Sequence, residues 1–360
     1  MEHFDSEMKV WLASLIPLEK LSLRQNGFGA ILAIKQICIE SEFLDVCLER
    51  WDPDFHVFRF PFGEMCPLPE EFAAIGGWSP DAVPATIPLT VSHRSRFKSA
   101  LFLEDRDMNA LLVGGFIHMV RFVRKFSNSR DPTLCTLSRR RALCFCLMQR
   151  YLFAGMMTSS AFGDMRLMSI VKQMEGGRNC AHLILGETIY GLDMKKRRRD
   201  RDLLGCPRIL QLWLMEHLTL LDAPANCDTY AANQIKTRPR SLVDPRRRPK
   251  GYFSNLVSMS VPRWVVPWWK ITSFVGSSIL QGHESVLLLG LDFGVWYHPL
   301  RVVRQMGRKQ LIPSVGTCIK LPMAIGGLET TNWLFRWAER SKWRVPNVRA
   351  TTSVSKAYSQ

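Results

Sequence analysis

Leu143-Cys-Phe-Cys-Leu-Met148 is apolar at every position and lies inside a segment, Arg139–Ala154, that has Ser138 as a cap before it and Gly155 as a stop after it. A helix that is apolar nearly all round is stable only when other elements surround it. The segment therefore predicts a central core helix, and the rest of the chain must supply its neighbours.

Those neighbours read as helices. Apolar residues at Ile34, Ile37, Cys38, Phe43, Leu44, Cys47, Leu48 and Trp51 follow helical spacing from about Ile31 to Trp51, with Asp52-Pro53 as the stop. Glu104–Phe126 opens on Glu104, Asp105 and Asp107 and closes on Arg121, Arg124 and Lys125, the polarity a helix dipole favours, and reads as one helix. Further helices are expected at Arg178–Tyr190 and Lys270–Leu280. Pro207–Leu218 is another, with proline in its first turn and Ile209, Leu210, Trp213, Leu214 and Leu218 facing inward. Near the N-terminus His56-Val-Phe-Arg-Phe60 alternates, Pro61-Phe62-Gly63 turns and Glu64-Met-Cys66 returns. This small β-hairpin feeds a helix that Pro69 opens and that runs through Ile75. Neither a β-α-β alternation nor an internal repeat is visible, which argues against a doubly wound enzyme fold.

The expected architecture is thus mainly α, a single multi-helix globular domain with a small β-hairpin near the N-terminus. Its organisation reads as an N-terminal segment over 1–30, a domain over 31–350 and a tail over 351–360. A basic loop or linker at 222–250 interrupts the domain, where large apolar side chains thin out and prolines and cations accumulate.

Charge narrows the partners. Lysine and arginine number 48 against 32 acidic residues, a net +16, and the excess is clustered. Lys195, Lys196, Arg197, Arg198 and Arg199 form one run; Arg246, Arg247, Arg248 and Lys250 form another. Side chains so crowded with like charge stay solvated, near anions or in a receptor groove, so both runs are nuclear-import or anion-binding candidates. A secretory leader is not expected, since Met1–Met8 is acidic and the first apolar stretch is broken by Pro17 and Glu19. Uncharged runs fall short of the roughly 18 residues a spanning helix needs, so no membrane partner is expected. The ten cysteines contain no C-x-x-C pair and read as reduced core thiols. The sharper alternative, zinc on Cys180, His182 and Cys206, has the wrong spacing for a knuckle.

Catalytic patterns are incomplete. There is no G-x-x-x-x-G-K phosphate loop, Gly27-Phe-Gly29 lacks the third glycine of a dinucleotide fingerprint, and His283-Glu284 is followed by Leu287 where a zinc protease needs its second histidine. Asp105 with Asp107 and Asp200 with Asp202 read as a helix start and as compensation beside a basic run. Glu64 and His298, lone polar residues in apolar surroundings, read as buried hydrogen-bonding groups. The expectation is a protein without catalytic residues, metal or cofactor that works by binding.

Three segments carry a resemblance. The first joins Phe43-Leu-Asp-Val-Cys-Leu-Glu-Arg-Trp51 to His56-Val-Phe-Arg-Phe-Pro-Phe-Gly-Glu-Met65 and Glu70-Glu-Phe-Ala-Ala-Ile-Gly76. The second is Leu203-Leu-Gly-Cys-Pro-Arg-Ile-Leu-Gln-Leu-Trp213 with Glu216. The third is Trp296-Tyr-His-Pro-Leu-Arg-Val-Val-Arg-Gln-Met-Gly307 followed by Gln310-Leu-Ile-Pro313. In order and spacing, over about 270 residues, they resemble the plant mobile domain of Maintenance-of-Meristems-like proteins, also labelled aminotransferase-like. Pro207, Tyr297 and Leu300 depart from that pattern.

The resemblance implies a mostly helical domain in a nuclear protein associated with transposable-element silencing, genome stability and meristem development. It implies nuclear protein partners, including a phosphatase-like protein carrying the same kind of domain, besides the import receptor suggested by the basic runs. It brings no catalytic residues, and the aminotransferase label finds no cofactor-binding lysine here. Trp51, Phe58, Trp213 and Trp296 are expected to fill the core and Gly63 to make the turn. Glu64, His298, Arg301, Arg304 and Gln305 complete the set of structural or partner-contact candidates, the last three being the first to test for a partner, with pairing to internal carboxylates as their alternative role. The alternative reading is a transposon-derived module that binds DNA directly through Lys195–Arg199 and Lys236–Lys250.

Overall fold

The computed structural model describes residues 2–88, 92–127, 136–154, 161–198, 202–224, 245–276, 285–311, 323–324, 333–334, 337–338 and 342–344. Helices dominate it, and one continuous hydrophobic core runs from Phe4 to Trp337.

The chain opens with α1 (Glu2–Ala13), α2 (Pro17–Gln25) and α3 (Gly29–Ile34), followed by α4 (Ser41–Glu49). The continuous helix expected over Ile31–Trp51 is therefore split. The interruption at 35–40 is held by side chains of a later helix, Pro207–His217: Gln211 donates to the Cys38 carbonyl (2.9 Å) and accepts from the Glu40 amide (2.7 Å), and Arg208 donates to the Ile37 carbonyl (3.2 Å). Such tertiary bonds outweigh a local helical preference. Trp51 belongs to a strand, β1 (Trp51–Asp52), which pairs antiparallel with β2 (Val57–Phe60), itself paired with β3 (Gly63–Met65). The hairpin lies where its alternation predicts, with Phe58 opposite both Trp51 and Met65. As expected, Pro69 starts α5 (Pro69–Gly76).

After α6 (His93–Ala100), the single helix expected over Glu104–Phe126 is replaced by α7 (Asp105–Leu111), strands β4 (Leu112–Val113) and β5 (Phe116–His118), and α8 (Met119–Ser127). Gly114 and Gly115 cause the break. Both take positive φ and turn β4 onto β5, a conformation open to glycine at little cost. The central helix α9 (Leu137–Leu147) is capped by Thr136, whose hydroxyl accepts the Arg139 amide at 3.2 Å, and not by Ser138. It runs into a π-helical turn, Met148–Leu152, and Ala142 through Met148 are buried, as an all-apolar helix requires.

Strand β6 (Phe162–Gly163) joins β5, and α10 (Arg166–Glu175) leads to α11 (Ala181–Arg197), which is buried along most of its length between α5 and two later strands, Val286–Leu289 and Phe293–Tyr297. Helix α11 is longer than the expected Arg178–Tyr190, so part of the first basic run is helical. Helix α12 (Pro207–His217) matches its expectation. A 3-10 turn at Pro245–Arg247 precedes α13 (Tyr252–Ser258). The helix expected at Lys270–Leu280 does not form over its described part. Lys270 is left-handed, and β7 (Ser273–Val275) follows, paired with β11 (Lys342–Arg344). The apolar run at Val286 becomes β8 (Val286–Leu289), antiparallel to β9 (Phe293–Tyr297), with β10 (Met323–Ala324) on the far side. Residues 225–244 of the basic loop, His283, Glu284 and the 351–360 tail lie outside the described residues. Among the described residues no helix is long and apolar enough to cross a membrane.

Candidate functional site

The three signature segments converge on one carboxylate. Proline at the first turn of α5 and the exposed amides there favour acids, and Glu71 occupies that turn while being buried. Its Oε2 accepts from the Trp213 indole of α12 (2.6 Å), from the Leu68 amide (3.1 Å) and from the Gln305 side chain (3.3 Å). Its Oε1 faces His217 Nε2 at 3.1 Å, and His217 Nδ1 meets the Arg263 carbonyl at 2.7 Å. Gln305 also pairs with both backbone groups of Cys66, at 2.8 and 2.9 Å. Segments more than a hundred residues apart in sequence are thereby tied together in a low-dielectric interior, where satisfied hydrogen bonds are strong.

A second node repeats the pattern of tryptophan, carboxylate and histidine. Asp193 of α11 accepts from the Trp51 indole at 2.8 Å and from His56 Nε2 at 2.9 Å. The other ring nitrogen of His56 donates to the Trp296 carbonyl at 2.5 Å. An imidazole between two acceptors is satisfied at both nitrogens only when doubly protonated. Burial opposes that charge most strongly, but the Asp193 hydrogen bond, its negative charge and the Trp296 carbonyl together raise the His56 pKa above its usual value. The His56 backbone is left-handed, φ 53°, which costs a non-glycine residue about 1 kcal/mol or more and is held by these bonds.

The remaining motif residues sit around these nodes. Arg301 makes two bonds to Glu64 (3.0 and 2.7 Å), and its guanidinium lies 4.1 Å from the Phe55 ring centre. Arg304 covers Trp264 at 3.5 Å and donates to the Phe62 carbonyl. Gly63 turns the hairpin with φ 136°, and a Cβ there would meet the Trp264 ring at 3.2 Å. His298 is buried, its ring 6.2 Å from that of His56. Gln305 is 1% exposed and bonded to Cys66 and to the Glu71 carboxylate, the internal pairing that was its alternative role. One expectation needs correction. Trp296 is only half-buried, because the alternation of β9 turns Tyr297 into the core in its place.

The basic runs divide by structure. Lys195, Lys196 and Arg197 form the last turn of α11, and Lys196 is engaged, donating to the Leu48 and Glu49 carbonyls at the end of α4. Arg197 and Arg198 are exposed, and Arg199 lies outside the described residues. In the second run Arg248 is paired with Glu40 at 2.6 Å and stacked on Phe253, and Arg246, Arg247 and Lys250 are exposed.

Chemically, the two histidine–carboxylate pairs resemble acid–base dyads, but both nitrogens of each ring are already bonded inside the core. Burial pushes the thiols of Cys66, Cys146, Cys180 and Cys206 upward, so they are protonated rather than nucleophilic. His182 stacks on Trp333 at 5.2 Å, and Cys206 donates to the Tyr151 carbonyl. Among the described residues no three metal-binding side chains cluster.

Glu187 of α11 differs from the other buried acids. Burial raises its pKa to about 7, although the Leu291 amide donates to it. Its folded value exceeds the unfolded 4.5, so its contribution to stability is complete below pH 4.5 and lost as pH rises through about 7. Glu187→Gln should flatten the stability profile over that window by up to about 3 kcal/mol, measured by urea unfolding at about pH 4.5 and about pH 8. An unchanged slope would contradict the assignment.

Sequence reasoning missed Asp193, Glu71, His56 and His217. The available signal was the recurrence of tryptophan within the signature segments, since a buried indole N–H needs an acceptor.

Comparison with known proteins agrees with this convergence. The plant mobile domain family model matches residues 27–359. The chain is 21% identical over 358 residues to Protein MAIN-LIKE 2 of Arabidopsis thaliana, covering 92% of this chain and 52% of that protein. It thus spans about half the length of that relative. No solved structure matches. With a family match over nearly its whole length and its signature segments joined in one buried network, the chain belongs to the plant mobile domain family.

Proposed function

We propose that this protein is a non-catalytic nuclear scaffold or regulator, acting through protein partners in transposable-element silencing, genome stability and meristem development. The observation that carries the reading is the Glu71 node. Trp213 and Gln305, drawn from two of the signature segments, and His217 beside the second of them hold the remaining segment in place through Glu71. Recognition then falls to the surface, whose strongest feature is its exposed cations. Arg246 and Arg247, presented in a short 3-10 turn, and nearby Lys250 fit an import receptor's acidic groove better than Lys195–Arg197, which would have to unwind from α11.

The direct DNA-binding reading draws on Arg197, Arg198, Arg247 and Lys250, which are exposed enough to reach phosphates. A fluorescent fusion of the full chain and its Arg246→Ala/Arg247→Ala/Lys250→Ala variant tests the leading reading. The parent is expected in nuclei and the variant shifted to the cytoplasm. Exclusion of the parent from nuclei would overturn it. Affinity purification of the parent from nuclei should recover nuclear proteins, including a phosphatase-like partner. Tight, salt-sensitive DNA binding by the purified chain without such partners would favour the second reading.

A further inference from the structure

Helix α1 lies ahead of residues 27–359, the part matched by the family, yet it is seated in the core like a bound peptide. Phe4, Met8 and Trp11 are its buried anchors, at positions i, i+4 and i+7, the spacing by which an amphipathic helix enters a groove. Helix α8 forms the main wall of the groove, and its rim is cationic. Arg150 makes two bonds to Asp5 (2.6 and 2.8 Å), and Arg124 holds Glu7 at 2.7 Å. Arg139 lies over the Trp11 ring at 5.3 Å while paired with Glu19 of α2. Arg150 projects from the π-helical turn Met148–Leu152, an irregularity that re-aims side chains within a helix. Only Ser14, Leu15 and Ile16 join α1 to α2.

We propose that this groove is a docking site for an acidic amphipathic helix of a partner protein, and that α1 occupies it in cis as a displaceable stand-in. The partner helix would carry large apolar anchors at i, i+4 and i+7 and carboxylates at i+1 and i+3, the chemistry that Phe4, Asp5, Glu7, Met8 and Trp11 display. Two arginines, Arg124 and Arg150, pair with the acids of α1 and explain why the occupant is acidic, since a basic or neutral helix would leave them uncompensated. The assignment concerns where a partner docks and does not depend on nuclear placement.

The test uses the full chain with a protease site inserted between Ala13 and Ser14, both exposed, and cut after folding so that every residue is retained. A fluorescent peptide of residues 2–13 is then titrated in and followed by anisotropy. The peptide should exchange with the severed α1 while the circular dichroism of the remainder is unchanged. An Asp5→Lys peptide should bind roughly tenfold more weakly, and Arg150→Glu in the chain should restore it. Three results would overturn the proposal: unfolding once α1 is displaced, failure of excess peptide to exchange, and equal binding by the charge-reversed peptide. A dimer of the uncut chain with exchanged α1 would reassign the groove to a second copy.

Discussion

Replacing Glu71 by alanine should produce the largest loss of stability of any single polar substitution in this protein, about 3–5 kcal/mol, measured by urea unfolding followed through tryptophan fluorescence. The carboxylate serves the Trp213 indole, the Leu68 amide, the Gln305 amide and His217 at once. Removing it leaves those groups buried, where water cannot replace the lost acceptor, and also opens a cavity. Glu71→Gln keeps the shape and one acceptor oxygen, so its loss should be smaller, about 1–3 kcal/mol. Glu104→Ala serves as the control. That carboxylate is largely exposed and paired only with exposed Arg106, and its removal should change stability by less than about 0.5 kcal/mol. Equal effects at Glu71 and Glu104 would mean that the node holds nothing together.

Asp193 is expected to come second, with a signature in pH. Asp193→Ala strands the Trp51 indole and a buried imidazole, and should cost about 3–5 kcal/mol near neutral pH. Asp193→Asn separates charge from shape. Because the folded His56 pKa is raised, the contribution of the His56–Asp193 pair is complete below the unfolded value of about 6.5 and is lost as pH climbs through the folded value. The difference in stability between the parent and Asp193→Asn should therefore be widest below pH 6.5 and narrow at higher pH. A difference that widened with pH would reverse the sign and contradict a charged His56.

The mainly helical class, the hairpin, α5, α12 and the family itself were legible in the sequence, because each rests on local spacing, proline placement or motif order. What escaped was decided across distance. Gln211 and Arg208 hold open the break between α3 and α4, and no local signal at residues 35–40 announces partners from α12. At Gly114-Gly115 the acid-to-base polarity of the flanking residues points to one helix, while the two glycines make a turn. Choosing between Trp296 and Tyr297 as the buried residue required the register of β9, since a shift of one residue exchanges inside for outside. The motif residues were read as core material, and most are, but their polar partners Asp193 and Glu71 lay disguised among surface-type charges. Helix α1 lacked a motif altogether, although its anchors at Phe4, Met8 and Trp11 keep helical spacing.

The central claim is that the signature residues form a closed polar framework, leaving function to the surface. Nitrogen-15 NMR of the histidine side chains in the full chain tests it most directly. His56 should keep protons on both ring nitrogens, protected from exchange, to a higher pH than an ordinary histidine does. A single neutral tautomer at His56, with one ring nitrogen titrating freely at about 6.5, would contradict the account, because a free imidazole lone pair beside a buried carboxylate is a general base rather than a strut.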